Sequence, residues 1–151
     1  MTTSSGRFAM PASASAPDLL VDTSIAIALT VADHEHHETT FRALGRRRLG
    51  LAGHAAFETF SVLTRLPAPA RRTPATVARL LAADFPHSRF LGAEATEALL
   101  AELQTAGIAG GAVYDALVGA SAREHGIVLA TRDRRALETY RALDVRLEVL
   151  P

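Results

Sequence analysis

The chain has no cysteine, no tryptophan and no lysine. Without cysteine it forms neither disulfides nor thiolate metal sites, which fits a reducing compartment and makes the cytoplasm the expected location. Because lysine is absent, all sixteen basic residues are arginine, and mechanisms that need a lysine ammonium or Schiff base are excluded. Arginine favours planar, two-point contacts to phosphate and carboxylate; a compositional bias of the genome would produce the same count. Aromatic residues amount to 5%, so the core has to be built from Leu, Val, Ile and Ala. No apolar run approaches the roughly 18 residues needed to cross a bilayer, and the first residues lack the apolar stretch of a secretory signal, so a soluble protein is expected. Charge of neither sign is in excess, since sixteen acidic residues offset the sixteen basic ones. Net charge therefore supplies no general attraction to nucleic acid.

What is present fits one domain. The chain is 151 residues long and 48% hydrophobic, enough for one core and too little for two. Residues 1–17 are rich in Ser, Ala, Thr and Pro and read as a disordered tail, leaving a single domain over 18–151. From Asp18 onward short apolar runs alternate with helical periodicity, the pattern of successive βα units around a parallel sheet. Strands are expected at 19–21, 49–52, 89–91, 127–130 and 145–150. Helices are expected at 25–31, 35–46, 54–66, 74–83, 93–105, from after Gly111 to about 125, and at 134–143. Thr23 and Ser24 are expected to cap the first helix, and Thr73-Pro74 opens the fourth. Pro67 and Pro69 stop the third, while Gly107 and Gly126 close the fifth and sixth. Phe41 and Leu44 should face inward on the second helix, and Ala55, Phe57, Val62, Leu63 and Leu66 on the third.

Four acidic residues fall at the edges of these apolar elements. Asp22 ends the first strand and Asp133 follows the strand at 127–130. In open parallel sheets ligands bind beyond the carboxyl ends of strands, so the two aspartates either share a crevice or simply cap the helices that follow. Asp115 interrupts the run Val113-Tyr114-Asp115-Ala116-Leu117, with small or apolar residues three and four positions away. An unpartnered buried carboxylate is costly, so Asp115 either approaches a strand end or ligand or lies on a solvated helix face. Glu58 interrupts the equally apolar stretch from Ala55 to Val62, with a local pairing to Arg65 as its alternative. Clustered carboxylates repel one another, and hard cations or opposing arginines are the usual means of keeping them ionised. Mg²⁺ or Mn²⁺ suits oxygen-only ligands and supplies the chemistry of hydrolytic nucleases: orienting water, binding a phosphodiester oxygen and stabilising the leaving alkoxide.

The stretches Leu20-Val21-Asp22-Thr23-Ser24, the Glu58 helix, Tyr114-Asp115-Ala116-Leu117 and Ala130-Thr131-Arg132-Asp133 together resemble the PIN domains, and within them the VapC-type toxins of bacterial toxin–antitoxin pairs. Each stretch is short, but their order and separation match across nearly all of 19–150. The resemblance implies a three-layer α/β/α domain with a central, mainly parallel sheet, in which Asp22, Glu58, Asp115 and Asp133 form an acidic pocket. It implies that Asp22 and Asp115 touch a divalent cation, Mg²⁺ or Mn²⁺, with Glu58 and Asp133 completing the shell or positioning the attacking water. Ser24 and Thr131 match small hydroxyl positions beside the pocket, where capping is their other reading. The family's last motif often offers a further acid downstream of the Asp133 position; here Arg134 and Arg135 follow instead. The implied activity is endoribonuclease cleavage of structured RNA such as tRNA or ribosomal RNA by a homodimer. A cognate VapB-like antitoxin would inhibit it, commonly by inserting a basic side chain into the acidic pocket.

Other signals are weaker. Asp33-His34-Glu35-His36-His37-Glu38 contains good metal ligands, but consecutive helical residues point in different directions, and the run reads as the solvated start of a polar helix with His36 near the cleft entrance. Arg46-Arg47-Arg48 and Arg71-Arg72 read as surface. Arg132, Arg134 and Arg135, flanking Asp133, are the better candidates for phosphate contacts. Without interleaved aromatics there is no sign of a base-stacking platform. A phospho-accepting receiver or a haloacid-dehalogenase-like phosphatase also places Asp after a first strand, but both normally use a lysine that this chain lacks. The remaining alternative is a catalytically silent PIN-like module that binds RNA or protein, which metal-dependent activity would separate from an enzyme.

Overall fold

The computed structural model describes residues 16–151, so the expected tail lies outside the described residues up to position 15. Four three-residue strands build the sheet: β1 (Leu19–Val21), β2 (Leu49–Leu51), β3 (Leu129–Thr131) and β4 (Leu147–Val149). Their order is β2-β1-β3-β4, and every neighbouring pair is parallel. Seven α-helices accompany them among the described residues: α1 (Thr23–Thr30), α2 (His37–Leu44), α3 (His54–Thr64), α4 (Pro74–Asp84), α5 (Ala93–Ala106), α6 (Ala112–Glu124) and α7 (Leu137–Ala142). None is long and apolar enough to cross a membrane.

Side chains alternate across a strand, and this period sorts the interior into two cores. Leu20 and Leu129 belong to one, with Leu99 of α5, Val118 of α6 and Tyr140 of α7. Leu19, Val21 and Ala130 belong to the other, with Ile25 of α1 and Leu44 of α2. Helices cover both faces, giving the expected three-layer α/β/α arrangement with a central parallel sheet. Strands buried on both faces are apolar throughout, which is why Leu19-Leu20-Val21 was readable as a strand without alternation.

Several elements differ from the sequence expectation for identifiable reasons. Asp22, rather than Thr23 or Ser24, is the N-cap of α1, accepting from the Ile25 N–H. The buried stripe of α3 is Ala55, Thr59 and Leu63 at spacing four; Phe57 therefore falls on the opposite side and is 66% exposed. On α2, Thr40 and Leu44 point inward and leave Phe41 outside. That helix begins only at His37, so His34 to His36 form the turn before it. The expected strand at 89–91 is reduced to single bridges: Pro86 meets Gly50 antiparallel and Arg89 meets Ala52 parallel, and such a segment holds no common register. Gly50 permits this crossing, because a Cβ there would stand 2.1 Å from the His87 carbonyl oxygen. β3 starts later than expected, since Ile127 is engaged in closing α6 through its N–H to the Ala122 carbonyl. The last helix is preceded by a 3₁₀ turn, Arg134–Ala136, tightened by Asp133 accepting from the Arg135 N–H. Thr73 and Pro74 open α4 and Gly107, at φ 69°, closes α5 as expected.

Leu20 is fully buried on a central strand. Leu20→Ala should lower the free energy of unfolding by about 3 kcal/mol, read in equilibrium urea unfolding as a lower midpoint with the slope unchanged.

Candidate active site

In the order β2-β1-β3-β4 the chain leaves β1 toward one edge of the sheet and β3 toward the other. The carboxyl ends of β1 and β3 thus flank a topological switch point, where an open parallel sheet leaves a crevice. Asp22 follows β1 directly. Thr131 ends β3, and Asp133 comes two residues later.

Asp22 is only 3% exposed. Its Oδ1 accepts from the Ser24 hydroxyl and the Ile25 N–H, and its Oδ2 from the hydroxyls of Thr131 and Tyr140. Burial pushes its carboxyl above the ordinary range while these four hydrogen bonds oppose the shift. Tyr140 is held as a phenol, its ionisation disfavoured by burial and by the adjacent Asp22. It is therefore a donor, at 3.0 Å.

The other acids arrive from three separate elements. Asp115 sits in the first turn of α6, half-buried. Glu58 projects from α3 and its Oε1 accepts from Thr23 Oγ1 at 3.1 Å. Arg65, its expected local partner, turns to the Ser61 hydroxyl instead. Asp133 caps the 3₁₀ turn and receives Arg135 Nε at 3.7 Å. All four expected acids line one cavity of about 270 Å³, together with Thr23, Ser24, Val118 and Tyr140. For Asp133 the capping role and the crevice position coexist, because the cap uses Oδ1 and leaves Oδ2; Asp22 caps α1 through Oδ1 while its Oδ2 is held by Thr131 and Tyr140. Burial, followed by the negative charges of Asp133, Glu58 and Asp22, pushes the Asp115 carboxyl up to about 6.

The donor set is oxygen-only and no cationic side chain lines this cavity, the chemistry that suits a hard divalent cation. Among the described residues, no three His, Asp or Glu side chains are placed to hold one ion by themselves.

Ser24 and Thr131 both serve the same carboxylate, and they also tie neighbouring backbone: the Arg132 N–H donates to Ser24 and the Asp133 N–H to Thr131. Arg135 reaches out from the acidic rim, its side chain almost wholly exposed. Arg132 and Arg134 face an adjoining cavity together with His34 and His36. Tyr140 and Thr23 were not foreseen as site residues. The apolar periodicity around 140 marks a buried position, and nothing local joins it to a carboxylate 118 residues away.

Comparison with known proteins identifies the family. The PIN domain family matches residues 19–142. Ribonuclease VapC27 of Mycobacterium tuberculosis is 47% identical over 133 residues, covering 88% of this chain and 97% of the relative. The chain belongs to the PIN-domain family, in its VapC branch. Ribonuclease VapC40 of the same organism is 46% identical, over 85% of this chain and 96% of its own length. Two solved structures share the PIN fold: M. tuberculosis VapC20, a sarcin-ricin loop cleaving toxin, at TM-score 0.63 and 22% identity over 80% of this chain and 93% of its own; and VapBC2 from Rickettsia felis, bound to a promoter DNA fragment, at TM-score 0.62 and 14% identity over 88% and 98%.

Two measurements probe this PIN site without substrate. Folding raises the Asp115 carboxyl from 3.8 to about 6, so its stabilising contribution is complete below 3.8 and is lost as pH rises through about 6. Asp115→Asn should therefore stabilise the metal-free protein at pH 7 by about 1 kcal/mol, after allowance for solvent screening of a half-exposed group, and by nothing near pH 3. Identical gains at both pH values would contradict the assignment. Tyr140→Phe removes one donor from the buried Asp22 and should cost about 1.5 kcal/mol in thermal or chemical unfolding.

Proposed function

We propose that this PIN domain is a Mg²⁺- or Mn²⁺-dependent endoribonuclease toxin that hydrolyses RNA phosphodiester bonds and is neutralised by a cognate antitoxin. The observation that carries the proposal is the convergence of Asp22, Glu58, Asp115 and Asp133, from four elements, on one cavity without a cation among its lining residues. Identity of 46–47% to proteins named ribonucleases, over most of both chains, supports it.

Asp22 and Asp115 would hold the ion, with Glu58 and Asp133 completing its shell through water. When bound, such an ion supplies positive charge against the phosphodiester oxygens and polarises water for attack. Asp22 is the most fixed of the four, with two donors on each oxygen; because these fill its lone-pair positions, an ion bound there would take the place of one hydroxyl donor. Glu58 has one oxygen engaged by Thr23 and the other available to accept from the attacking water. Val118 and the Tyr140 ring supply the apolar part of the cavity wall.

Structured RNA such as tRNA or ribosomal RNA is the substrate class this reading carries, and the homodimer is its assembly. Neutralisation follows the same electrostatics, since a basic side chain of the antitoxin entering the acidic cavity would take the cation's place.

Purified protein freed of copurifying antitoxin should cut total cellular RNA into discrete fragments with Mg²⁺ or Mn²⁺ and not with EDTA. Asp22→Asn and Asp115→Asn should each lower the rate on the order of a hundredfold or more, the scale of removing one preorganised contact. No cleavage with any metal would leave a silent binding module of the same fold.

A further inference from the structure

The acidic cavity poses a problem for a polyanionic substrate, because every ionised side chain that lines it is negative. A second cavity, of about 480 Å³, lies directly beside it, with Thr23 and Ser24 lining both. Its polar character is the opposite. Its charged side chains, Arg132, Arg134, His34 and His36, come from the segment after β3 and from the turn between α1 and α2, and Ile27 and Pro151, the last residue, complete the lining.

The charges there are free to act on a ligand. Ion pairs among the described residues engage Arg42, Arg47, Arg48, Arg123 and Arg135. Neither Arg132 nor Arg134 has a carboxylate partner among them. Arg132 is nevertheless positioned, its N–H on Ser24 Oγ at 2.9 Å and its Nη1 on Thr40 Oγ1 at 3.3 Å. Those contacts are to neutral oxygens, so the guanidinium keeps its charge and most of its five donors. His36 is matched by Glu35 at 2.9 Å. His34 accepts the His36 N–H on Nδ1 at 3.0 Å, which places the proton of its neutral ring on Nε2 as a further donor.

We infer that this second cavity is a phosphate subsite for the RNA strand, in which Arg132, Arg134 and His34 hold the backbone phosphate of a nucleotide flanking the scissile bond. The shared Thr23-Ser24 wall sets the register: a strand whose scissile phosphate sits among the acids passes over this wall, and the adjoining phosphate enters the cationic side. Arg132 and Arg134 straddle Asp133 in the chain, so the residues that attract the strand are held by the segment that carries one of the acids. The subsite also accounts for the histidine-rich turn, which takes no part in the acidic cavity. This inference rests on the reading of the chain as a ribonuclease.

Binding and cleavage separate the two. A short fluorescein-labelled single-stranded RNA of mixed sequence is titrated in EDTA, where turnover is absent, and its anisotropy is followed across a series of KCl concentrations. Arg134→Gln and Arg132→Gln should each weaken binding several-fold and lower the slope of log K against log salt by about 1. His34→Ala should also weaken it, since one donor to the phosphate is lost. Arg79→Gln, an exposed arginine on α4 lining neither cavity, is the control and should match wild type. With metal restored, the two arginine variants should raise KM and retain kcat. Arg134 is exposed, so its variant remains informative if Arg132→Gln, which loses the Thr40 contact, fails to fold. Wild-type affinity and salt slope in Arg134→Gln would overturn the subsite. A wild type that binds with this salt dependence but cleaves nothing under any metal would leave the subsite standing and remove the nuclease. Cleavage with wild-type KM in Arg134→Gln would do the reverse.

Discussion

A carboxylate taken out of water has to be surrounded by donors, and the burial of Asp22 imposes that requirement on much of this domain. Its four partners come from the start of α1, the end of β3 and the middle of α7. Each has to be in place for the others to be worth their own burial. Thr131 reaches Asp22 because β1 and β3 are parallel neighbours in register, Val21 opposite Ala130. Tyr140 reaches it because α7 packs against the same face as α6. A site residue is thereby also a joint of the fold, and its rigidity is a property of the sheet and not of a loop.

The same arrangement explains how opposite electrostatic characters coexist within one crevice. The carboxyl ends of β1 and β3 carry short polar segments, Asp22-Thr23-Ser24 and Arg132-Asp133-Arg134, on either side of the switch point. On one side Glu58 and Asp115 join them and the cavity is acidic. On the other His34 and the two arginines join them and it is basic. Thr23 and Ser24 separate the two while belonging to both. A chain with zero net charge gains local fields by segregation, which its overall composition does not disclose.

Much of this was legible in the residues alone. The alternation of apolar runs and helical periodicity points to the parallel α/β class, and each of the four acids stands out as a carboxylate at the edge of an apolar element. Boundary signals with a local cause, such as Thr73-Pro74 before α4 and Gly107 after α5, translated directly into structure. Errors arose where a distant contact outweighed a local one. Thr23 and Ser24 are good capping residues, but Asp22 takes the cap because its carboxylate is already held at the end of β1. Phe57 looked internal by composition and is external by phase, since α3 is anchored through Ala55, Thr59 and Leu63. Arg89 to Leu91 has strand-like residues but meets the β2 edge only through a single bridge at Arg89, because the crossing at Gly50 sets the segment in no common register.

By itself the sequence determined what each segment can be and which chemistry is open to it. Period, turn residues and the absence of cysteine and lysine are properties of neighbouring positions or of bulk composition, and need no third dimension. Tertiary structure alone decided which side chains meet: that Tyr140 donates to Asp22, that Thr23 rather than Arg65 holds Glu58, and that Arg132 and Arg134 open on the far side of the Thr23-Ser24 wall from the acids. Those pairings depend on strand order and helix phase, set by the burial of both sheet faces at once, and such a global constraint leaves no mark on any short stretch of residues.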